Sequence, residues 1–228
     1  MEKVPNKEVE IQPLGSYLEV DSEGYIINPA SLDKIQEQWK PVVDEIVEVY
    51  KSQYGEHLKS VYVRGSVAKG QAVENISDID SFCYTDIAED DSSSDWEQKA
   101  RNEIKTKFPF VEGVELSNRQ LPKVRIKGIF LNQSICVYGE PIEISKIKPG
   151  KDMMFHIPNL ERRIEILDEK LENAETEESI KNVCVWFAKD ILRTGFELTM
   201  DRSKRYTRDR NKRAVFTIFR YHISRKQN

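Results

Sequence analysis

Residues Val63–Thr85 read VRGSVAKGQAVENISDIDSFCYT, and the fold turns on how this stretch is understood. It holds Gly65-Ser66, a second glycine at Gly70, and then Asp78 and Asp80 two residues apart. The run before it, Leu58 to Val63, is rich in β-branched and aromatic residues and reads as a strand leading straight onto the glycine. Ile79 to Tyr84 reads as a second strand. In an extended chain Asp78 and Asp80 point to one face, roughly 6–7 Å apart, while Ile79, Ser81 and Cys83 point to the other, the natural side for a core. Two adjacent carboxylates repel each other unless a cation sits between them. Mg²⁺ suits such a pair because it takes few carboxylates and completes its shell with phosphate oxygens. A glycine at the end of a strand lets the backbone approach a phosphate closely, and the N–H groups of the turn that follows attract anions. The Ser66 hydroxyl adds a further hydrogen bond. Taken singly, Gly-Ser is an ordinary turn and D-x-D a solvated loop edge; in this order, phosphate cradle and metal pair stand side by side.

Working outward, Leu32, Ile35, Trp39, Val42, Ile46, Val49 and Tyr50 recur at helical spacing. Pro41 interrupts them, so the pattern predicts one kinked helix or two short ones, ended by Gly55. After the second strand comes an acidic loop, Asp86 to Asp95, which lacks the glycine and ligand spacing of a calcium loop and reads as solvated. Ser94 and Glu97 form a capping-box pattern for a helix to about Lys107. A third strand is expected over 111–117 and further extended sequence over 123–130, and the segment 131–142 closes this part, with Gly139 as a turn. From about Asn159 three helical segments follow, the middle one carrying Ile180, Val183, Phe187, Ile191 and Leu198 at helical spacing. The expected class is α+β: an arm over 1–30, a small mixed sheet with flanking helices over 31–150, and a helical bundle over 151–228.

The 228 residues suffice for a sizeable core. Charged residues make up 32% and hydrophobic ones 39%, ordinary for a soluble protein. No run of about 18 apolar residues marks a membrane span, and MEKVPNKEVEIQP lacks the apolar centre of a signal peptide. The three cysteines, Cys83, Cys136 and Cys184, lie beside apolar neighbours without a C-x-x-C pattern, so buried free thiols and a cytoplasmic location are expected. The net charge is −4, yet residues 202–213 (RSKRYTRDRNKR) carry +6, which leaves −10 on the rest. One basic patch on an acidic chain argues against a long polyanion such as nucleic acid as partner. His57, His156 and His222 have no partner spacing for zinc or a triad and read as structural.

Gly65-Ser66, Ala68, Gly70, Ser77-Asp78 and Asp80, as G-S-x-A-x-G-x(6)-S-D-I-D, resemble the signature of the DNA polymerase β-type nucleotidyltransferase superfamily. Within it the resemblance is nearest to the bacterial group of kanamycin and minimal nucleotidyltransferases. The match covers about twenty residues directly and every defining position is filled. The resemblance implies a third carboxylate on a neighbouring strand, which binds metal or serves as base. Glu112 and Glu115 in VEGVELSNR are the candidates. Val114 and Leu116 flank Glu115 and turn to the opposite face, which favours Glu115 for the open side.

The resemblance implies transfer of a nucleoside monophosphate from ATP or GTP to an acceptor hydroxyl, releasing pyrophosphate. Asp78, Asp80 and Glu115 would hold two Mg²⁺ ions, Gly65 and Ser66 the β/γ-phosphates, and Arg208 would add a nucleotide contact. The acceptor is open: an aminoglycoside or lincosamide antibiotic, which would make this a resistance enzyme, or a protein side chain. Arg193 and Tyr206 could serve the nucleotide or acceptor, or simply tie helices together. The chain could also form a homodimer. The rival reading is a degenerate fold that binds nucleotide or a partner without chemistry.

Overall fold

The protein is described here by a computed structural model over residues 16–87, 93–120, 132–143 and 145–207. The chain divides into two compact units, Val20–Ile147 and a second formed by Met1–Glu19 with Lys148–Asn228. The expected strand 123–130, the last helical segment, Arg208 and His222 lie outside the described residues.

In the first unit, two short 3₁₀ turns at Leu32–Lys34 and Glu37–Trp39 lead into helix α1, Lys40–Tyr54. Pro41 falls in the first turn of α1, where its missing N–H is no loss, so the helix runs on without the expected kink. α1 buries Val42, Val43, Ile46, Val47 and Tyr50 along one face and stops at Gly55. Strand β1, Leu58–Arg64, runs directly into the four-residue helix α2, Gly65–Ala68. Strand β2 spans Ile79–Thr85 and helix α3 Ser93–Lys107. Of the strand expected over 111–117 only β3 (Val114–Glu115) forms, and a second short strand, β4 (Asn118–Gln120), follows it. Strand β5, Ser134–Gly139, completes the sheet.

The strand order is β3-β2-β1-β5, with β4 also on β2. β1 is antiparallel to β2 and β5, whereas β3 and β4 run parallel to β2, so the sheet is mixed. Its two faces separate by the period-2 rule. Val61, Val63, Ile79 and Cys83 join α1, Ile104 and Leu116 in the main core. Tyr62, Phe82 and Tyr84 form a smaller cluster on the other face, with the Tyr62 and Phe82 rings stacked 5.1 Å apart and 3° from parallel. Gly139 does not act as a turn: it pairs with Ser60 in the sheet, and a Cβ there would run into the Lys59 carbonyl.

The second unit holds helix α4, Leu160–Glu172, and helix α5, Glu177–Ser203. Thr176 caps α5 through a reciprocal pair of bonds with Ser179. The apolar positions do not define the buried face of α5. Asp190, Phe196, Glu197 and Met200 are buried, while Ile180, Ile191 and Leu198 are exposed. The buried carboxylates are paired. Asp190 lies 2.9 Å from Arg163 and 3.3 Å from Arg193, with His156 at 3.5 Å. Glu197 accepts the backbone N–H groups of Phe155, His156 and Ile157, capping the chain as it enters α4. Among the described residues, no helix is long and apolar enough to cross a membrane.

Candidate active site

The open end of the sheet is built by one row across three strands. Arg64, the last residue of β1, is registered against Asp80 of β2, and Asp80 against Glu115 of β3. Because Ile79, Ser81 and Cys83 are drawn into the core, the alternation of β2 turns Asp80 to the opposite face, as the residue pattern predicts. Val114 and Leu116 do the same for Glu115, since Leu116 is buried and Val114 packs on the core.

Gly65 follows Arg64 with φ +79°, and a Cβ built on it would meet Oδ2 of Asp80 at 2.5 Å. The turn and the carboxylate are therefore in contact: the backbone angle calls for glycine, and any side chain there would push the Asp80 carboxylate aside. Ser66 is partly exposed in the first turn of α2, and its carbonyl accepts the N–H groups of Lys69 and Gln71, closing the loop back on itself. The loop that follows is tied to the segment before β3: Asn75 N–H donates to Phe110, Glu112 N–H to Ser77, and Ile79 N–H to Gly113. Asp78 is exposed at the entry to β2, and its Cβ lies against Gly113, 3.4 Å from where a side chain there would begin. Glu112 is exposed and precedes β3.

β3 is only two residues long, and hydroxyl groups beneath it brace it. Ser81 Oγ donates to the Glu115 carbonyl at 2.8 Å, the Ser117 N–H donates to the buried Tyr50 hydroxyl at 2.9 Å, and Tyr50 and Ser81 hydroxyls are 3.1 Å apart. Residues of the core face thus fix the height of a carboxylate on the open face.

Sequence reading overlooked Arg64. Its Nη2 lies 3.1 and 3.2 Å from the two Glu115 oxygens and 3.6 Å from Asp80 Oδ1. Its side chain is 12% exposed, so the guanidinium is held rather than waving in solvent. The signal was its position: a charged residue ending an otherwise buried strand, directly before the glycine. The Glu115 side chain is 48% exposed; its partial desolvation and then the neighbouring Asp80 push its carboxyl above the ordinary range, and Arg64 works against that rise.

Among the described residues, no three His, Cys, Asp or Glu side chains converge closely enough to hold a metal ion by themselves. The donor set nevertheless fits a divalent cation. Asp80 and Glu115 are paired oxygen donors, one of them reluctant to ionise beside the other, and both draw on a positive charge that Arg64 supplies.

In the second unit, Arg193 is paired with Asp190, and Tyr206 packs edge-on against Phe196 with ring centres 6.3 Å apart. Each is engaged in tying helical structure together. His57 pairs with the exposed Asp86, which Lys59 also contacts. Of the thiols, Cys83 is buried, Cys136 half-buried and Cys184 exposed, so the expectation of three buried cysteines holds for one.

Residues 43–127 match the family model of the nucleotidyltransferase domain, a span that contains Gly65, Ser66, Asp78, Asp80 and Glu115. The fold class is that of a nucleotidyltransferase domain with a small mixed sheet, followed by helices, as the sequence led us to expect. No protein with a curated description matches the chain. Two solved structures are similar over part of it. One is a chain from a toxin–antitoxin crystal structure with AMP-PNP, 15% identical, covering 57% of this chain and 92% of that one, with TM-score 0.33. The other is a chain from a mutant of the toxin–antitoxin MntA-HpeT, 12% identical, with the same coverage and TM-score 0.31.

Proposed function

We propose that the protein transfers a nucleoside monophosphate from ATP or GTP to an acceptor hydroxyl. The observation that carries this reading is the contact between Gly65 and Asp80, with Glu115 in register beside it. A backbone turn free of side chain, two carboxylates and one cation-seeking face occupy a single end of the sheet, inside the span that matches the nucleotidyltransferase domain.

In the proposed reaction the acceptor oxygen forms a bond to the α-phosphorus, the bond from that phosphorus to the bridging oxygen breaks, and pyrophosphate leaves. Gly65 and Ser66 hold the β/γ-phosphates through backbone N–H groups and the serine hydroxyl. Asp78, Asp80 and Glu115 would hold Mg²⁺, two ions in this reading, which when bound neutralises phosphate charge and polarises the attacking and leaving oxygens. Glu115 accepts the acceptor's proton, a role that suits a carboxyl whose affinity for protons is raised. Arg208 is the proposed additional nucleotide contact. One acceptor class is the hydroxyl of an aminoglycoside or lincosamide antibiotic, with resistance as the outcome. A protein side chain is the other acceptor class, and the enzyme acts as a monomer or a homodimer.

The test is to incubate the chain with α-³²P-labelled ATP or GTP, Mg²⁺, and separate panels of aminoglycosides, lincosamides, proteins and RNA. Label should pass to one acceptor class and vanish with Asp78→Asn/Asp80→Asn. Transfer that survives the double change would sink the metal assignment. Mg²⁺-dependent nucleotide binding without transfer to any acceptor would favour the degenerate binding module.

A further inference from the structure

Arg64 stands at the β1 end of the row, with Asp80 between it and Glu115, and its guanidinium reaches both carboxylates, nearest Glu115. Its place is set from both sides: β1 pairs it with Asp80 across β2 and with Ser134 across β5. An arginine so enclosed is expensive to bury without anionic partners, and two carboxylates so close are costly without a cation. Each solves the other's problem.

We propose that Arg64 is a positioning residue that acts as an internal counter-cation, holding Glu115 beside Asp80 and competing with a divalent cation for the same carboxylates. The inference rests on the reading of Asp80 and Glu115 as cation ligands. Mg²⁺ or Mn²⁺ binds carboxylate oxygen at about 2 Å, whereas the guanidinium nitrogen already sits 3.1–3.2 Å from both Glu115 oxygens. A cation on Glu115 would therefore lie within a few ångströms of a held positive charge, where repulsion is only partly screened because the Arg64 side chain is 12% exposed and that of Glu115 48%. Entry of the cation weakens the Arg64–Glu115 pair, and that pair sets a ceiling on cation affinity. The side chain thereby keeps the acidic row assembled between turnovers at the cost of weaker cation binding.

The experiment measures Mn²⁺ binding to the full chain without nucleotide, from the free-ion electron paramagnetic resonance signal, for wild type, Arg64→Gln, Arg64→Lys and Asp80→Asn. Circular dichroism and melting report on the fold of each. Arg64→Gln is expected to bind Mn²⁺ about tenfold tighter than wild type, because a positive charge beside the ligands is gone. Arg64→Lys, which keeps the charge, should stay within about threefold of wild type. A residue with only a structural role would give the opposite sign, since a disordered row binds a cation less well. Should Arg64→Gln fail to fold, Arg64→Met keeps the buried stem and carries the same expectation. Equal or weaker Mn²⁺ binding by a folded neutral variant overturns the proposal, and so does equal tightening in Arg64→Lys. If Asp80→Asn leaves Mn²⁺ binding unmoved, the cation site itself is wrong and this proposal goes with it. Binding lost in Asp80→Asn but unmoved in Arg64→Gln overturns the role of Arg64 alone.

Discussion

Oδ2 of Asp80 occupies the space that a side chain on residue 65 would need, 2.5 Å from the position of its Cβ. The glycine of the turn and the second aspartate of the D-x-D are thus one structural unit, and the backbone angle at 65 adds a second demand for glycine. Gly65→Ala is expected to cost about 1–2 kcal/mol in stability from the left-handed angle alone, and to displace the Asp80 carboxylate. Urea denaturation should show the first effect, and loss of label transfer the second.

Glu115 and Glu112 make a matched pair for mutagenesis. Glu115→Gln keeps the shape and removes the proposed base, so turnover should fall by about 10²-fold or more while nucleotide binding persists. Glu112→Gln, at an exposed position before β3, should leave turnover near wild type. Single-turnover kinetics on both variants decides which carboxylate belongs to the site.

The raised affinity of Glu115 for protons has a sign that can be checked. Between the ordinary value of 4.5 and the higher folded value, the native state binds more protons than the unfolded chain. Stability therefore declines as pH rises through that window, and the decline is complete above the folded value. Burial is the largest cause and Asp80 adds to it, so Asp80→Asn should move the window downward. Carboxyl NMR of Glu115 against pH reads the shift, and urea denaturation across the same pH range reads the stability.

Thiol chemistry distinguishes the three cysteines. Burial pushes the Cys83 thiol far up, out of reach of ordinary reagents, while Cys184 is exposed on α5. Dithionitrobenzoate titration of the native chain should label Cys184 promptly and leave Cys83 intact until denaturant is added.

The helical unit has its own weak point at Asp190. Removing this buried charge takes the carboxylate from Arg163 and Arg193, whose side chains are 20% and 33% exposed, and is expected to cost about 1–3 kcal/mol. Asp190→Asn should lower the melting temperature and urea midpoint accordingly.

Much of the first unit was legible because its signals are local. Strands β1 and β2 follow from β-branched and aromatic runs, and the orientation of Asp80 from strict alternation about Ile79 and Ser81. Pro41 was misread as an interruption because a proline's effect depends on its distance from the helix start, which the sequence leaves open. The buried face of α5 was missed for a related reason. A helix is expected to bury its apolar stripe, but Asp190 and Glu197 are inside because arginines and backbone N–H groups from elsewhere in the chain satisfy them.

The sequence by itself determined the two halves of the site: a glycine turn after one strand and paired aspartates opening the next, each written within a few residues. Only the tertiary structure decided that Asp80 presses on Gly65, that Glu115 lies in register beside it, and that the Arg64 guanidinium reaches both carboxylates. Those relationships join residues up to 51 positions apart. They depend on strand register and on the Tyr50–Ser81–Ser117 brace under β3, and no local pattern encodes which strands will lie side by side.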